Sequence, residues 1–199
     1  MTFNNNIPVD KNLLIIGGSG RNVGKTTLAT SIINKISAAI PTIGLKVSTF
    51  KKGNEQCHGA HTPLPLNSFR INTETCLNPQ KDTAKMVFSG ASEAYFIETF
   101  DTLVPQAYNE FKRISNSDGL PVVCESQSLR YYVKPGLFIL IIDSRNSKKF
   151  TEEYIKLADF VCYTGNDQTW PEKLTSQIHF TSEGWVLNKT LPLSRDEDF

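Results

Sequence analysis

Apolar residues fall along this chain in short blocks, and two rhythms alternate. Leu13-Leu14-Ile15-Ile16 lies in a strand expected over Asn12–Gly17. It is apolar on both sides, as a parallel strand covered on both faces must be. Leu28, Ile32, Ile33 and Ile36 then recur at helical spacing, so a helix is expected from Thr26 to about Ala39, ended by Pro41. Ile43–Ser48 is a second strand. Further on, a short helix is expected over Lys81–Ser89 up to Gly90, a strand over Ala94–Thr99, and a helix over Leu103–Ile114 with Pro105 in its first turn. Strands follow at Leu120–Glu125 and Leu137–Asp143, a short helix at Thr151–Leu157 and a strand at Phe160–Tyr163. Ile178–Phe180 and Trp185–Leu187 flank Ser182-Glu183-Gly184, the pattern of a hairpin.

Strands alternating with helices predict an α/β fold: a mostly parallel sheet with helices on both faces and a C-terminal hairpin. Right-handed crossovers would place the strand ends, and any site, along one edge. Two stretches break the rhythm. Residues 1–11 are expected to be a disordered lead. Residues 49–80 carry Gly53, Asn54, Gly59, Pro63, Pro65, Asn67 and Pro79 with little periodicity. A segment this long and irregular is usually functional or mobile, so it is expected to be a lid or acceptor-binding loop. At 199 residues, without an internal repeat, the chain suits a single domain, 1–199, with an irregular insertion at 49–80.

The glycine-rich turn after the first strand carries the chemistry. It runs Gly17-Gly18-Ser19-Gly20-Arg21-Asn22-Val23-Gly24-Lys25-Thr26-Thr27. A strand, a glycine-rich turn, Gly-Lys-Thr and a helix are together the context of a phosphate-binding loop, which makes the expected architecture that of a P-loop NTPase. Glycines let successive N–H groups from Gly18 through Thr27 turn toward a phosphate, and the helix adds its free N–H groups and positive dipole end. Lys25 can reach terminal phosphates, and the Thr26 hydroxyl can hold Mg²⁺. The usual spacing puts the first glycine where Ser19 stands; Gly18 lies one residue further back. Either the loop is one residue longer or Ser19 replaces that glycine.

Net charge is +1, which argues against a nucleic-acid partner, and Lys51-Lys52 is too short for a basic tail. No apolar run approaches a membrane span, and residues 1–11 lack a basic-then-apolar leader pattern. A cytoplasmic protein without membrane partners is expected, with its four cysteines as thiols.

A nucleotide site needs a carboxylate to organise Mg²⁺ or water. Glu125 and Asp143 each end an apolar strand and compete for that role. Lys46, on the second strand, can contact phosphate or a second substrate. Cys57, His58, His61 and Cys76 offer thiolate and imidazole, but without the close paired spacing of closed zinc sites. Asn166, in Gly165-Asn166-Asp167, can read a purine edge, although the segment is not Asn-Lys-x-Asp, so ATP and GTP both stay open. Ser126 and Ser128 lack a Gly-x-Ser-x-Gly setting.

Gly24-Lys25-Thr26-Thr27-Leu28, Gly44-Leu45-Lys46, the loop with His58 and His61, Lys81-Asp82-Thr83 leading to Ser89-Gly90-Ala91, and Val122-Val123-Cys124-Glu125 follow one another in order. Over most of residues 12–145 this order resembles the molybdopterin-guanine dinucleotide biosynthesis protein B (MobB) family of P-loop proteins. The resemblance implies nucleotide binding with Mg²⁺, Glu125 in preference to Asp143 as the metal-side acid, and Asp82 near the nucleotide. It further implies an accessory role beside a partner enzyme, as a homodimer. The family's Glu-Gly is Glu125-Ser126 here, its histidines arrive later, and its loop is shorter. Dethiobiotin-synthetase-like enzymes share the longer loop with Val-Gly-Lys-Thr, which keeps a small-molecule kinase or ATP-dependent ligase as the alternative.

Overall fold

The structure, a computed structural model, describes residues 7–50, 64–75, 78–143, 152–164 and 168–188. The chain forms β1 (Val9–Gly18), α1 (Lys25–Ser37), β2 (Ile43–Phe50), β3 (Phe69–Thr73), α2 (Asp82–Phe88) and β4 (Glu93–Phe100). A 3₁₀ turn (Asp101–Leu103) runs into α3 (Val104–Ser115), followed by β5 (Val122–Glu125), a second 3₁₀ turn (Ser128–Tyr131) and β6 (Lys134–Asp143). Then come α4 (Glu152–Leu157), β7 (Phe160–Thr164), α5 (Trp170–Gln177), β8 (Ile178–Thr181) and β9 (Gly184–Leu187).

Among the described residues seven strands form one sheet in the order β3-β4-β2-β5-β1-β6-β7, and β8-β9 form a separate antiparallel hairpin. Every pairing in the large sheet is parallel except β3 with β4. The fold is therefore α/β, mostly parallel, with the C-terminal hairpin. No described helix is long and apolar enough to cross a membrane.

Central β1 divides the core. Leu14 and Ile16 face a cluster built with Leu28, Ile32 and Ile33 of α1, Met86 of α2, Leu174 of α5 and Trp185 of the hairpin. Leu13 and Ile15 face the other side, with Phe111 of α3 and with Tyr154 and Leu157 of α4 packed against it. Helices thus cover both faces. Each fully buried Leu or Ile contributes about 1.5–3 kcal/mol, so every one of these four β1 residues holds its place strongly. Neither face of β1 is polar over Leu13–Ile16, so alternation cannot set its register. Pairing sets it instead: Leu13 lies beside Val122 and Ile16 beside Glu125. That register brings the end of β5 level with the start of the glycine-rich loop.

Three segments depart from expectation. Residues 9–11 are not part of a disordered lead: Val9 and Asp10 extend β1 along β6, opposite Lys134 and Pro135. Asp10 is held there by the Tyr108 hydroxyl at 2.8 Å and the Lys112 ammonium at 3.4 Å. Within 49–80, Phe69–Thr73 is not irregular but forms edge strand β3, with Phe69 and Ile71 packed on the α3 side. The alternation there is only five residues long and lacks a local partner; its ladder is made with β4, more than twenty residues later. Helix α5 was not expected either. Thr169 before Trp170-Pro171 is a legible start signal, but the helix has only eight residues.

Helix α5 is tied to α1 by Lys35 and by the Thr175 hydroxyl, which donates to Ser31 Oγ at 3.0 Å. Lys35 Nζ donates to the carbonyls of Thr175 at 3.0 Å, Ser176 at 3.1 Å and Ile178 at 2.7 Å. These carbonyls lie at the C-terminal end of the helix, where the negative end of its dipole favours an ammonium; Thr175 also accepts from the Ile178 N–H. Lys35→Met keeps the stem and removes the donors. It is expected to cost about 1–3 kcal/mol, read as a lower urea midpoint at unchanged slope. An unaltered midpoint would mean that core packing through Leu174 and the Thr175–Ser31 bond suffice to hold α5.

Candidate functional site

The loop between β1 and α1 turns back through two positive-φ residues, Asn22 at 60° and Gly24 at 100°. Gly18 is where the chain doubles over itself: a Cβ there would sit 2.6 Å from Val23 Cγ2 and 3.1 Å from the Lys25 stem. Gly18, and not Ser19, is therefore the position that only a glycine fits at the start of the turn. Ser19 has a different task. Its N–H donates to the Ile141 carbonyl at 2.9 Å and its hydroxyl accepts from the Asp143 N–H at 3.1 Å, which ties the loop to β6. Gly20 and Arg21 are exposed at the crest, and Val23 is buried beneath it.

Helix α1 begins at Gly24 with no capping side chain and no acidic residue in its first turn. Lys25, Thr26 and Thr27 thus present N–H groups that no side chain caps, at the positive end of the helix. The Lys25 ammonium lies along the loop and donates to the Gly20 carbonyl at 2.6 Å.

Beside it, side chains from three elements meet at the Thr26 hydroxyl, and Lys46 from a fourth joins through Asp82. That hydroxyl has one proton, with Glu125 Oε2 at 2.8 Å and Asp82 Oδ1 at 3.2 Å as acceptors. Glu125 ends β5 and lies beside Ile16 of β1 and Lys46 of β2. Asp82 opens α2, and Lys46 Nζ donates to its other oxygen, with Lys85 3.7 Å from the first. With the Thr26 proton directed at a carboxylate, the oxygen's lone pairs remain available to a cation.

The electrostatics follow from this packing. Burial pulls the Lys25 pKa below its ordinary 10.5; Glu125 pushes back, Lys46 pulls further and Asp82 pushes back. Added negative charge at the loop would favour the ammonium. For Asp82 burial acts upward, but hydrogen bonds from Lys46 and Thr26 and the charges of Lys46 and Lys85 leave its pKa below the ordinary 3.8. A carboxyl with a depressed folded-state pKa adds stability that is fully present above the unfolded value and is lost as pH falls through the folded one. Asp82→Asn is therefore expected to flatten the acid limb of stability below about pH 4, measured as urea midpoint against pH. A limb of unchanged slope would remove Asp82 from that account.

Asp143 lies on the opposite side of β1. It is buried at the end of β6, and its backbone N–H is the one that meets Ser19. The structure thus brings Lys25, Thr26, Lys46, Asp82 and Glu125 together and leaves Asp143 on the far flank of the loop. Asn166, Cys57, His58, His61 and Cys76 lie outside the described residues. Among the described residues no group of three or more His, Cys, Asp and Glu gathers as a metal cage.

Three residues at the site escaped the sequence. Trp170 lies over Gly24: a Cβ there would be 2.6 Å from Trp170 Cζ2. Arg70 and Glu98 come from facing positions on β3 and β4, with Arg70 Nη1 3.4 Å from the buried Glu98 carboxylate. Leu45, Val47, Tyr95 and Ile97 belong to the α3-side cluster, so Lys46, Ser48 and Glu98 project to the α1 side. Register places Ser48 beside Glu98, and Glu98 beside Arg70, one step from the Lys46–Glu125 row. A polar row therefore continues outward from the Thr26 cluster.

Compared with protein-family models, with curated proteins and with solved structures, the chain matches none.

Proposed function

We propose that this protein is a Mg²⁺-dependent P-loop protein that binds ATP or GTP and hydrolyses it slowly, acting as an accessory protein in cofactor biosynthesis. The observation that carries the nucleotide reading is the meeting of Glu125 and Asp82 at the Thr26 hydroxyl, one residue from Lys25. The accessory role rests on the MobB-like order of motifs alone.

The donors suit the ion. Mg²⁺ prefers hydroxyl, carboxylate, phosphate and water oxygens, and takes few of them from protein. Thr26 would hold it, with Glu125 directly or through water. Bound there, Mg²⁺ supplies charge neutralisation to the phosphates. The chain's own part is to bind and orient. Loop N–H groups from Gly18 to Thr27 and the Lys25 ammonium take the phosphate charge, and Lys46 adds a second cation on the metal side.

Calorimetric titration with ATP, GTP and their diphosphates, with and without Mg²⁺, tests this reading. Triphosphate binding that tightens with Mg²⁺ is the expected result. A folded chain that binds none of the four at millimolar concentration would end it.

A small-molecule kinase or ligase is the second reading, favoured by the row Lys46, Ser48, Glu98 and Arg70 leading away from Thr26. An acceptor lying along that row would meet the terminal phosphate at Lys46. Release of nucleoside diphosphate that one metabolite accelerates would select this reading over the accessory one.

A further inference from the structure

We propose that Trp170 is the wall against which the base of the bound nucleotide stacks; this rests on the P-loop reading above. Trp170 opens α5, the element after β7 in the chain. Its ring abuts the phosphate loop itself, with Cζ2 and Cη2 2.6 and 3.3 Å from where a Gly24 Cβ would stand. One part of the indole packs against the α1-side core, and the residue as a whole is half-buried. The other tryptophan, Trp185, is buried and donates its Nε1–H to the Asn12 carbonyl at 2.7 Å.

The direction of the ligand follows from sheet order. Glu125 on β5 and Lys46 on β2 stand on one side of β1, and β6 and β7 stand on the other. A polyphosphate whose metal-side end lies at Thr26 and Glu125 must leave the loop toward β6 and β7. The nucleoside end then arrives where Trp170 covers Gly24. Every base has a π-face, so stacking on an indole favours large bases without reading their edges. Trp170 therefore contributes a purine-over-pyrimidine preference and little distinction between adenine and guanine.

Separating base from phosphate tests the assignment. The full chain with Mg²⁺ is titrated with ADP, GDP, CDP and inorganic tripolyphosphate in wild type, Trp170→Ala, Trp170→Phe and Lys25→Ala. Trp170→Ala is expected to weaken ADP and GDP binding by roughly tenfold or more, while tripolyphosphate affinity stays within about twofold. Trp170→Phe should restore most of the loss. Wild-type indole fluorescence should change on ADP binding, and that change should vanish in Trp170→Phe, where Trp185 alone emits. Equal effects of Trp170→Ala on ADP and tripolyphosphate, or an ADP-dependent signal that persists in Trp170→Phe, would overturn the stacking role and leave the P-loop reading standing. Should Trp170→Ala not fold, the fluorescence comparison decides between the same two results. Lys25→Ala binding all four ligands like wild type would instead remove the P-loop reading and this assignment with it.

Discussion

Lys25→Ala is expected to weaken nucleoside triphosphate binding by about 1.5–3 kcal/mol, roughly 10- to 150-fold in Kd, in a chain that stays folded. Both halves of that expectation have a physical cause. The ammonium is the cation of Gly24-Lys25-Thr26, so its loss removes a charge-assisted contact to phosphate. Burial already disfavours its charged form, and its hydrogen-bond acceptor is the carbonyl of Gly20 at the exposed crest. Removing it breaks no side-chain ion pair, and the neighbouring Glu125 and Asp82 keep their hydrogen bonds from Thr26, with Lys46 still on Asp82. Calorimetric titration of the variant, beside a thermal or urea melt, reads both. Wild-type affinity in a folded variant would refute the loop assignment.

Glu125→Gln is expected to lower Mg²⁺-dependent turnover by on the order of 10- to 100-fold, as loss of a group that orients a metal or its water commonly does. Nucleotide binding should be less affected, because the loop amides and Lys25 remain. Asp143→Asn provides the control: Asp143 ends β6, on the other side of β1 from Glu125, where its backbone N–H meets Ser19. Equal losses in the two variants would undo the assignment of Glu125, and a loss confined to Asp143→Asn would move the metal side to β6. A Mg²⁺–nucleotide structure supplies the direct measure. The Glu125 carboxylate should lie within water-bridged reach of the metal, roughly two coordination bonds.

The contrast between these two acids shows what was legible in the linear chain. Val122 to Glu125 and Leu137 to Asp143 carry the same message, an apolar strand ending in an acid. Nothing local says which strand neighbours β1 on the α2 side. The MobB-like order of motifs favoured Glu125, and the register of Ile16 beside Glu125 beside Lys46 is a property of the assembled sheet.

Where periodicity is long and both partners are near in sequence, pattern alone was enough. The both-sided apolar run of β1, the helical spacing of α1 and the hairpin signal around Ser182-Glu183-Gly184 led to the observed elements. The turn from Gly17 to Thr27 was equally plain as a strand–turn–helix unit, because it is built from consecutive residues.

Long-range placement was not legible. Edge strand β3 exists because β4 offers it a ladder, and Val9–Asp10 are ordered because β6 does the same. Trp170 looked like any residue after a turn, yet it covers Gly24, almost 150 positions earlier in the chain. Asp82 and Glu125 meet at Thr26, with Lys46 joined through Asp82, because register sets β2, β5 and β1 level beside the helix starts of α1 and α2. Side-chain period tells a residue which face of its own element it occupies. Which other element fills the space opposite depends on strand order and burial of the whole chain, and those exist only once the sheet has closed around β1.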